Sequence, residues 1–293
     1  MIQRILQIIL PVFGVVAAGW LYGRGVRPDI GGVNRMNMDV FVPALIVSSL
    51  SRRDFSLREN QALILGSLGV VLASGLLAWP VSRVLRVSPR TFVPPMMFNN
   101  SGNMGLPLAL LAFGEGQLPA AVAMFVTSNL LQFTVGTYLV RRDAHHLHLL
   151  RSPMVLATLA GVALSALGWS LPWAVGTAVE MLGQVCLPLM LFSLGARMVG
   201  VSMRDWQVGV AGAVVRPLVG LLVALPLGRL LGLGPVPYAM LILFSSLPPA
   251  VLNFLIADRY DQEPQKVASI VLIGNLASVV FVPIGLALAL RGL

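Results

Sequence analysis

The stretch Pro94-Pro95-Met96-Met97-Phe98-Asn99-Asn100-Ser101-Gly102-Asn103-Met104-Gly105-Leu106-Pro107 decides how this chain folds. It lies inside an otherwise apolar block, residues 92–113, of membrane-spanning length. Its middle cannot run as a continuous apolar helix. Three asparagines, a serine and two glycines crowd it, and each proline removes a backbone donor and clashes with the carbonyl four residues back. Glycine weakens the helix and lets another group approach the backbone. Backbone freed in this way costs several kcal/mol per unsatisfied group if it faces lipid. The stretch must therefore line an enclosed, wet cavity.

The rest of the chain supplies the membrane. Of 293 residues, 57% are apolar and 11% charged, with a mean hydropathy of +0.87. A soluble domain carries roughly 25% charged residues, so a soluble globule is excluded. Cys186 is the single cysteine, which excludes a disulfide scaffold. The apolar residues fall in ten blocks: 5–23, 33–51, 61–83, 92–113, 118–140, 153–170, 176–197, 207–230, 236–257 and 267–290. Each is long enough to cross about 30 Å of hydrocarbon as a helix. The expected fold class is an all-α polytopic membrane protein with ten transmembrane helices. Residues 1–19 continue apolar through Trp20 and Leu21 and read as a first span, not a cleaved leader.

The net charge is +9, but its distribution argues against a nucleic-acid partner. Nineteen of the 20 basic residues are arginines set in short clusters between apolar blocks. Such clusters report topology. With the N-terminus outside, inner segments hold 13 basic residues and outer ones 6, leaving Arg216 inside a span. Both termini are expected outside, on the periplasmic face of a plasma membrane.

The chain also repeats itself. Val40-Phe41-Val42-Pro43-Ala44-Leu45-Ile46-Val47-Ser48 and Val185-Cys186-Leu187-Pro188-Leu189-Met190-Leu191-Phe192-Ser193 share proline and serine at an offset of 145. Asp54-Phe55 answers Asp205-Trp206, Asn100-Ser101 answers Ser245-Ser246, and Asn129 answers Asn275 near that offset. Five spans per copy turn the second copy upside down in the membrane, a common construction of secondary transporters. The expected division is a first repeat over 1–140, a central cytoplasmic loop over 141–152 and a second, inverted repeat over 153–293.

In the second repeat, Ser245-Ser246-Leu247-Pro248-Pro249-Ala250-Val251-Leu252-Asn253 breaks span 236–257 as the first stretch breaks 92–113. Interrupted helices at corresponding positions of two halves point to a binding site. Half-helix N-termini favour an anion, and carboxamides donate and accept at once. The candidate substrate residues are Asn99, Asn100, Ser101, Gly102, Asn103 and Gly105, with Pro107 holding the break, and Ser245, Ser246, Pro248, Pro249 and Asn253. Asn129 and Asn275 either face this site or hydrogen-bond between helices. Ser128, Gln132 and Ser278 would extend the same polar surface.

Arg216 sits near the middle of span 207–230, at an insertion cost of at least about 2.5–3.5 kcal/mol. It either holds a substrate carboxylate or pairs with Asp39 or Glu180, and the two roles are compatible. Asp39, four residues before Pro43, is the candidate proton carrier, with a helix-end position near the headgroups as the alternative. Glu180 reads as interfacial. His145, His146 and His148 fall in the central loop without a cysteine or acidic cage, and read as solvated. No phosphate loop or nucleophile elbow is present. No enzyme activity, metal or cofactor is expected.

The segment Asn99 to Pro107, followed by Leu108, resembles the signature of the auxin efflux carrier family. That family includes plant auxin exporters and bacterial carriers of malate or malonate. The Pro43 motif and the Pro248-Pro249 break fit the same pattern. The resemblance implies the fold of bile-acid symporters and sodium/proton antiporters, with two crossing broken helices. It also implies a scaffold domain, a moving transport domain, elevator-type alternating access and, through the scaffold, a homodimer. The short central loop lacks the long insertion of many plant members and suits a prokaryotic carrier. Sodium-coupled relatives in the wider superfamily use acidic and amide ligands, whereas the crossover spans here offer amides and hydroxyls. Proton coupling or electrogenic uniport is thus favoured over sodium. The expected function is secondary transport of a small organic anion such as an auxin-like acid or a dicarboxylate. A channel, a sodium-coupled symporter and a non-transporting sensor are the alternatives.

Overall fold

The apolar runs become helices. The computed structural model describes residues 1–26, 28–52, 55–141, 152–199, 204–291 and 293. The first half holds α1 (Ile2–Val26), α2 (residues 30–50), α3 (Gln61–Val84), α4 (Pro89–Met97), α5 (Ser101–Phe113) and α6 (Glu115–Val140). The second holds α7 (Pro153–Leu167), α8 (Trp173–Arg197), α9 (Trp206–Leu230), α10 (Pro235–Ser245), α11 (Leu252–Arg259) and α12 (Pro264–Leu290). Six of these, α1, α3, α6, α8, α9 and α12, are long and apolar enough to cross a membrane. Asp54, the three histidines and nearly all of the expected central loop lie outside the described residues. No β-strand occurs among the described residues beyond one isolated bridge.

Proline shapes the helices locally. Pro43 has no N–H for the Asp39 carbonyl, and the turn ahead of it widens, so that the Val42 N–H bonds the Asn37 carbonyl five residues back. The same widening precedes Pro107, where the Leu106 N–H bonds the Ser101 carbonyl. Such π turns re-aim the side chains on either side of them. Pro107 itself sits in the first turn of the regular α-helix that resumes at Leu106, directly after this π turn.

Small residues bring helices together where lipid gives no hydrophobic push. α1 packs along α8. At their contact a Cβ on Gly19 would lie 2.0 Å from the Phe192 carbonyl oxygen, and one on Gly195 would lie 1.9 Å from that of Val16. α7 packs on α2, and α2 on α8, which completes a group of four helices. α3 packs on α9 and α9 on α12, with the interrupted helices against them. The main core joins Val12, Ile46, Leu108, Met124, Leu191, Leu243 and Leu286 from both groups. Leu72, Leu76 and Trp79 of α3, Leu218 and Leu222 of α9, and Val279 and Val280 of α12 face outward. Apolar surface on this scale is foreign to a soluble monomer and natural for a multi-pass membrane protein.

Candidate functional site

The gap between α4 and α5 and the gap between α10 and α11 cross each other in antiparallel, extended conformation. The Ala250 N–H donates to the Phe98 carbonyl at 2.9 Å, and the Asn100 N–H donates to the Pro248 carbonyl at 2.8 Å. Asn99 and Pro249 are the bridged pair between them. Pro248 and Pro249 carry no N–H that would need a partner. Side-chain amides add to these bonds: the Phe98 carbonyl also accepts from Asn253 Nδ2 at 3.0 Å, that of Pro249 accepts from Asn275 Nδ2 at 3.1 Å, and that of Phe244 from Asn99 Nδ2. The protein thus satisfies inside itself the backbone that lipid could not.

Two side-chain pairs brace the crossing from outside. Asn100 Nδ2 donates to Asn275 Oδ1 at 2.8 Å, tying the first break to α12. Gln132 Nε2 donates to Asn253 Oδ1 at 2.9 Å, tying α11 to α6. At one end of the crossing, Thr91 of α4 donates to Glu263 at 2.5 Å and accepts from Gln262 Nε2 at 3.1 Å. Partial burial pushes the Glu263 carboxyl up, but its hydrogen bonds from Lys266 and Thr91 outweigh this and hold it below its ordinary value.

A cavity of about 120 Å³ opens on one side of the crossing. The breaks supply Asn99, Asn100, Ser101, Gly102, Asn103, Ala250 and Val251; α2 supplies Asn34 and Asn37, α6 supplies Asn129 and Gln132, and α8 supplies Ser193 and Arg197. Asn99 Oδ1, Asn34 Nδ2 and Asn37 Oδ1 are buried without a hydrogen-bond partner among the described residues. An unmet buried polar atom costs roughly 1–3 kcal/mol, so a polar occupant is favoured there. Arg197, at the mouth, is half-buried. The polar part of the lining is amides, hydroxyls and this guanidinium, with no carboxylate among the described residues, and Met38, Phe125, Met190, Leu194 and Leu255 make much of the rest apolar.

The structure therefore divides the expected residues. Asn99, Asn100, Ser101, Gly102, Asn103, Asn129 and Gln132 come together at the cavity. Asn253 and Asn275 brace the crossing instead of lining the cavity. Gly105, Pro107, Ser245, Ser246, Pro248 and Pro249 also stay off its wall. Ser246 turns its hydroxyl to the Leu243 carbonyl of its own helix, and Ser278 to that of Asn275. Asp39 is exposed on α2 and does not reach the cavity.

Arg216 departs furthest from expectation. It is fully buried, yet it lines a separate void of about 10 Å³ beside Asn99, Ser128 and Ser245. Its Nη1 donates to the Ser245 carbonyl at 3.3 Å, while Nε and Nη2 have no partner among the described residues. Neither Asp39 nor Glu180 pairs with it: the first is exposed, and the second lines a cavity at the opposite end of α8. Ser245 closes α10, where the helix dipole is negative and a cation is favoured. Arg216 acts there as a C-terminal cap of a half-helix. Asn34, Asn37, Ser193 and Arg197 line the cavity as well, beyond the residues the sequence singled out. Ser193 and Arg197 carried a signal, through repeat positions that answer Ser48 and Arg52.

The class of protein defined by the lipid-facing surface and the polar crossing is a multi-pass membrane transporter. Comparison with known proteins names the family. Residues 142–286 match the membrane transport protein family, which is auxin efflux carrier-like. A Rhizobium meliloti protein named "Putative malonate transporter" is 27% identical over 94% of this chain and 93% of its own length. An uncharacterized transporter of Methanothermobacter thermautotrophicus is 26% identical over 96% and 93%. The chain is a membrane transporter that over residues 142–286 is similar to this family, in line with its resemblance through Asn99 to Pro107.

Proposed function

We propose that the protein is a secondary carrier for a small carboxylate, bound at the crossing of the two interrupted helices. The observation that carries this reading is the cavity itself. Unmet amide groups and one guanidinium converge on broken backbone there. Its volume is about 120 Å³. The name of the Rhizobium relative points to malonate, a short dicarboxylate. The amide lining, without a carboxylate among the described residues, favours electrogenic uniport over proton or sodium coupling.

The architecture supports an inverted repeat of five spans each. α1 packs on α8 as α7 packs on α2, while α2–α8 and α3–α9 are self-equivalent pairs. A pseudo-two-fold axis in the membrane requires this pattern. The four-helix group would be the scaffold, and the crossing with its neighbours the moving body. The distribution of arginines orients the Arg197 mouth towards the cytoplasm.

The test is uptake of labelled malonate, malate and indole-3-acetate by purified protein in proteoliposomes, with sodium and pH varied independently. Saturable malonate uptake that follows membrane potential and ignores both ions is expected. No saturable uptake of any carboxylate would overturn the reading.

A further inference from the structure

A second cavity, of about 150 Å³, adjoins the first. The two share Leu194 and Arg197 from the last turn of α8 and Val251 from the second break. From there the second cavity runs between α11 and α12, where Phe254, Ala268, Val271 and Leu272 wall it. Its chemistry is the opposite of the first. Among the described residues, none of the unmet buried polar atoms lies on its wall. Asn275, its one amide, is already engaged: it accepts from Asn100 and donates to the Pro249 and Val271 carbonyls. Arg197 is the one charged residue on either wall among the described residues. A polar guest would find few partners in the second space, whereas hydrocarbon that enters it leaves water.

We propose that the carboxylate carried by this protein bears a short apolar branch, and that the second cavity receives the branch while Arg197 holds a carboxylate at the border of the two spaces. This rests on the carrier reading above and narrows its substrate class to malonate-type dicarboxylates with a short alkyl group on the central carbon. A carboxylate bonded to Arg197 has a polar wall on one side, in Asn37, Asn103 and Gln132, and an apolar wall on the other, in Phe254, Val271 and Leu272. The central carbon of a malonate is one bond from each carboxylate, so a branch on it starts beside Arg197 and extends into the second cavity. The first cavity then recognises the acid and the second its branch. Unsubstituted malonate uses the first alone. Ala268 has the smallest side chain on the second wall. It sets the room left for the branch, and a larger residue there would take that room.

The test is uptake of labelled malonate and labelled n-propylmalonate by purified protein in proteoliposomes. Burying each methylene is worth about a fourfold gain in affinity, so n-propylmalonate should show a KM about tenfold or more below that of malonate. Ala268→Phe should cancel this advantage while the KM of malonate stays within threefold of wild type, which also shows that the variant folds. Ala268→Leu, a smaller intrusion, should lose part of the advantage. Wild type whose KM for n-propylmalonate is no lower than for malonate, or Ala268 variants that raise both KM values by the same factor, would overturn the branch site and leave the carrier reading standing. Saturable uptake of neither acid by wild type would overturn both.

Discussion

Asn100 and Asn275, 175 residues apart in sequence, share a buried 2.8 Å hydrogen bond that ties the break between α4 and α5 to the middle of α12. Asn275 also donates to the carbonyls of Pro249, in the other break, and of Val271 in its own helix. One amide therefore holds both crossing strands. Asn275→Ala would strand Asn100 Nδ2 and the Pro249 carbonyl in a buried site, at a cost of about 1–3 kcal/mol for each group left unmet. A fall in the melting temperature of the detergent-purified protein, with transport lost in parallel, is expected. An unchanged melting temperature would mean that the brace is not made.

Asn103 and Asn253 should separate binding from stability. Asn103 lines the cavity and is only partly buried. Asn253 is buried, donating to Phe98 and Ala250 carbonyls and accepting from Gln132. Asn103→Ala is expected to lower carboxylate transport at least tenfold while leaving the melting temperature nearly unmoved. Asn253→Ala is expected to lower the melting temperature first. Thermal unfolding and initial transport rates of both variants, side by side, check this; equal thermal losses would refute the division.

Glu263 links the entry of α12 to Thr91 at the start of α4. Its carboxyl titrates below the usual range because the Lys266 and Thr91 hydrogen bonds outweigh burial. A group whose folded pKa is depressed contributes stability above its unfolded pKa, about 4.3 for Glu, and loses it as pH falls through the folded value. The melting temperature of wild type should therefore exceed that of Glu263→Gln at pH 7, with the gap closing below about pH 4. A gap that persists undiminished at pH 3.5 would assign the difference to packing.

Hydropathy made the long helices legible. The block 61–83 is the helix Gln61–Val84, and 207–230 is Trp206–Leu230. The breaks were legible too, because Pro248-Pro249 and the asparagine run leave the backbone no continuous helix. What the sequence could not give was rotation about each helix axis. Asn253 and Asn103 are both amides beside a break, yet one turns into the crossing and the other into the cavity. The π turn at Asn37–Phe41 presents Asn37 to the cavity and leaves Asp39 exposed. Arg197 looked like one more loop charge marking topology, because hydropathy places a residue at a span's end without saying whether a cavity opens there.

Arg216 was the most conspicuous charge in the sequence, and its placement yields the sharpest contrast. It touches the Ser245 carbonyl at the end of α10 and lines a void the size of a single water, apart from the cavity at which Arg197 sits. A buried cation with one hydrogen bond carries a large desolvation cost of its own, so an apolar side chain of similar length can replace it without collapse of the fold. Arg216→Met should give folded protein whose KM for malonate stays within threefold of wild type, whereas Arg197→Gln, at the cavity wall, should raise KM at least tenfold. Transport kinetics of the two variants at matched protein per liposome decide it. If Arg216→Met instead raises KM as Arg197→Gln does, the anion reaches Arg216 through Asn99, which lines both spaces, and the binding site extends across the crossing.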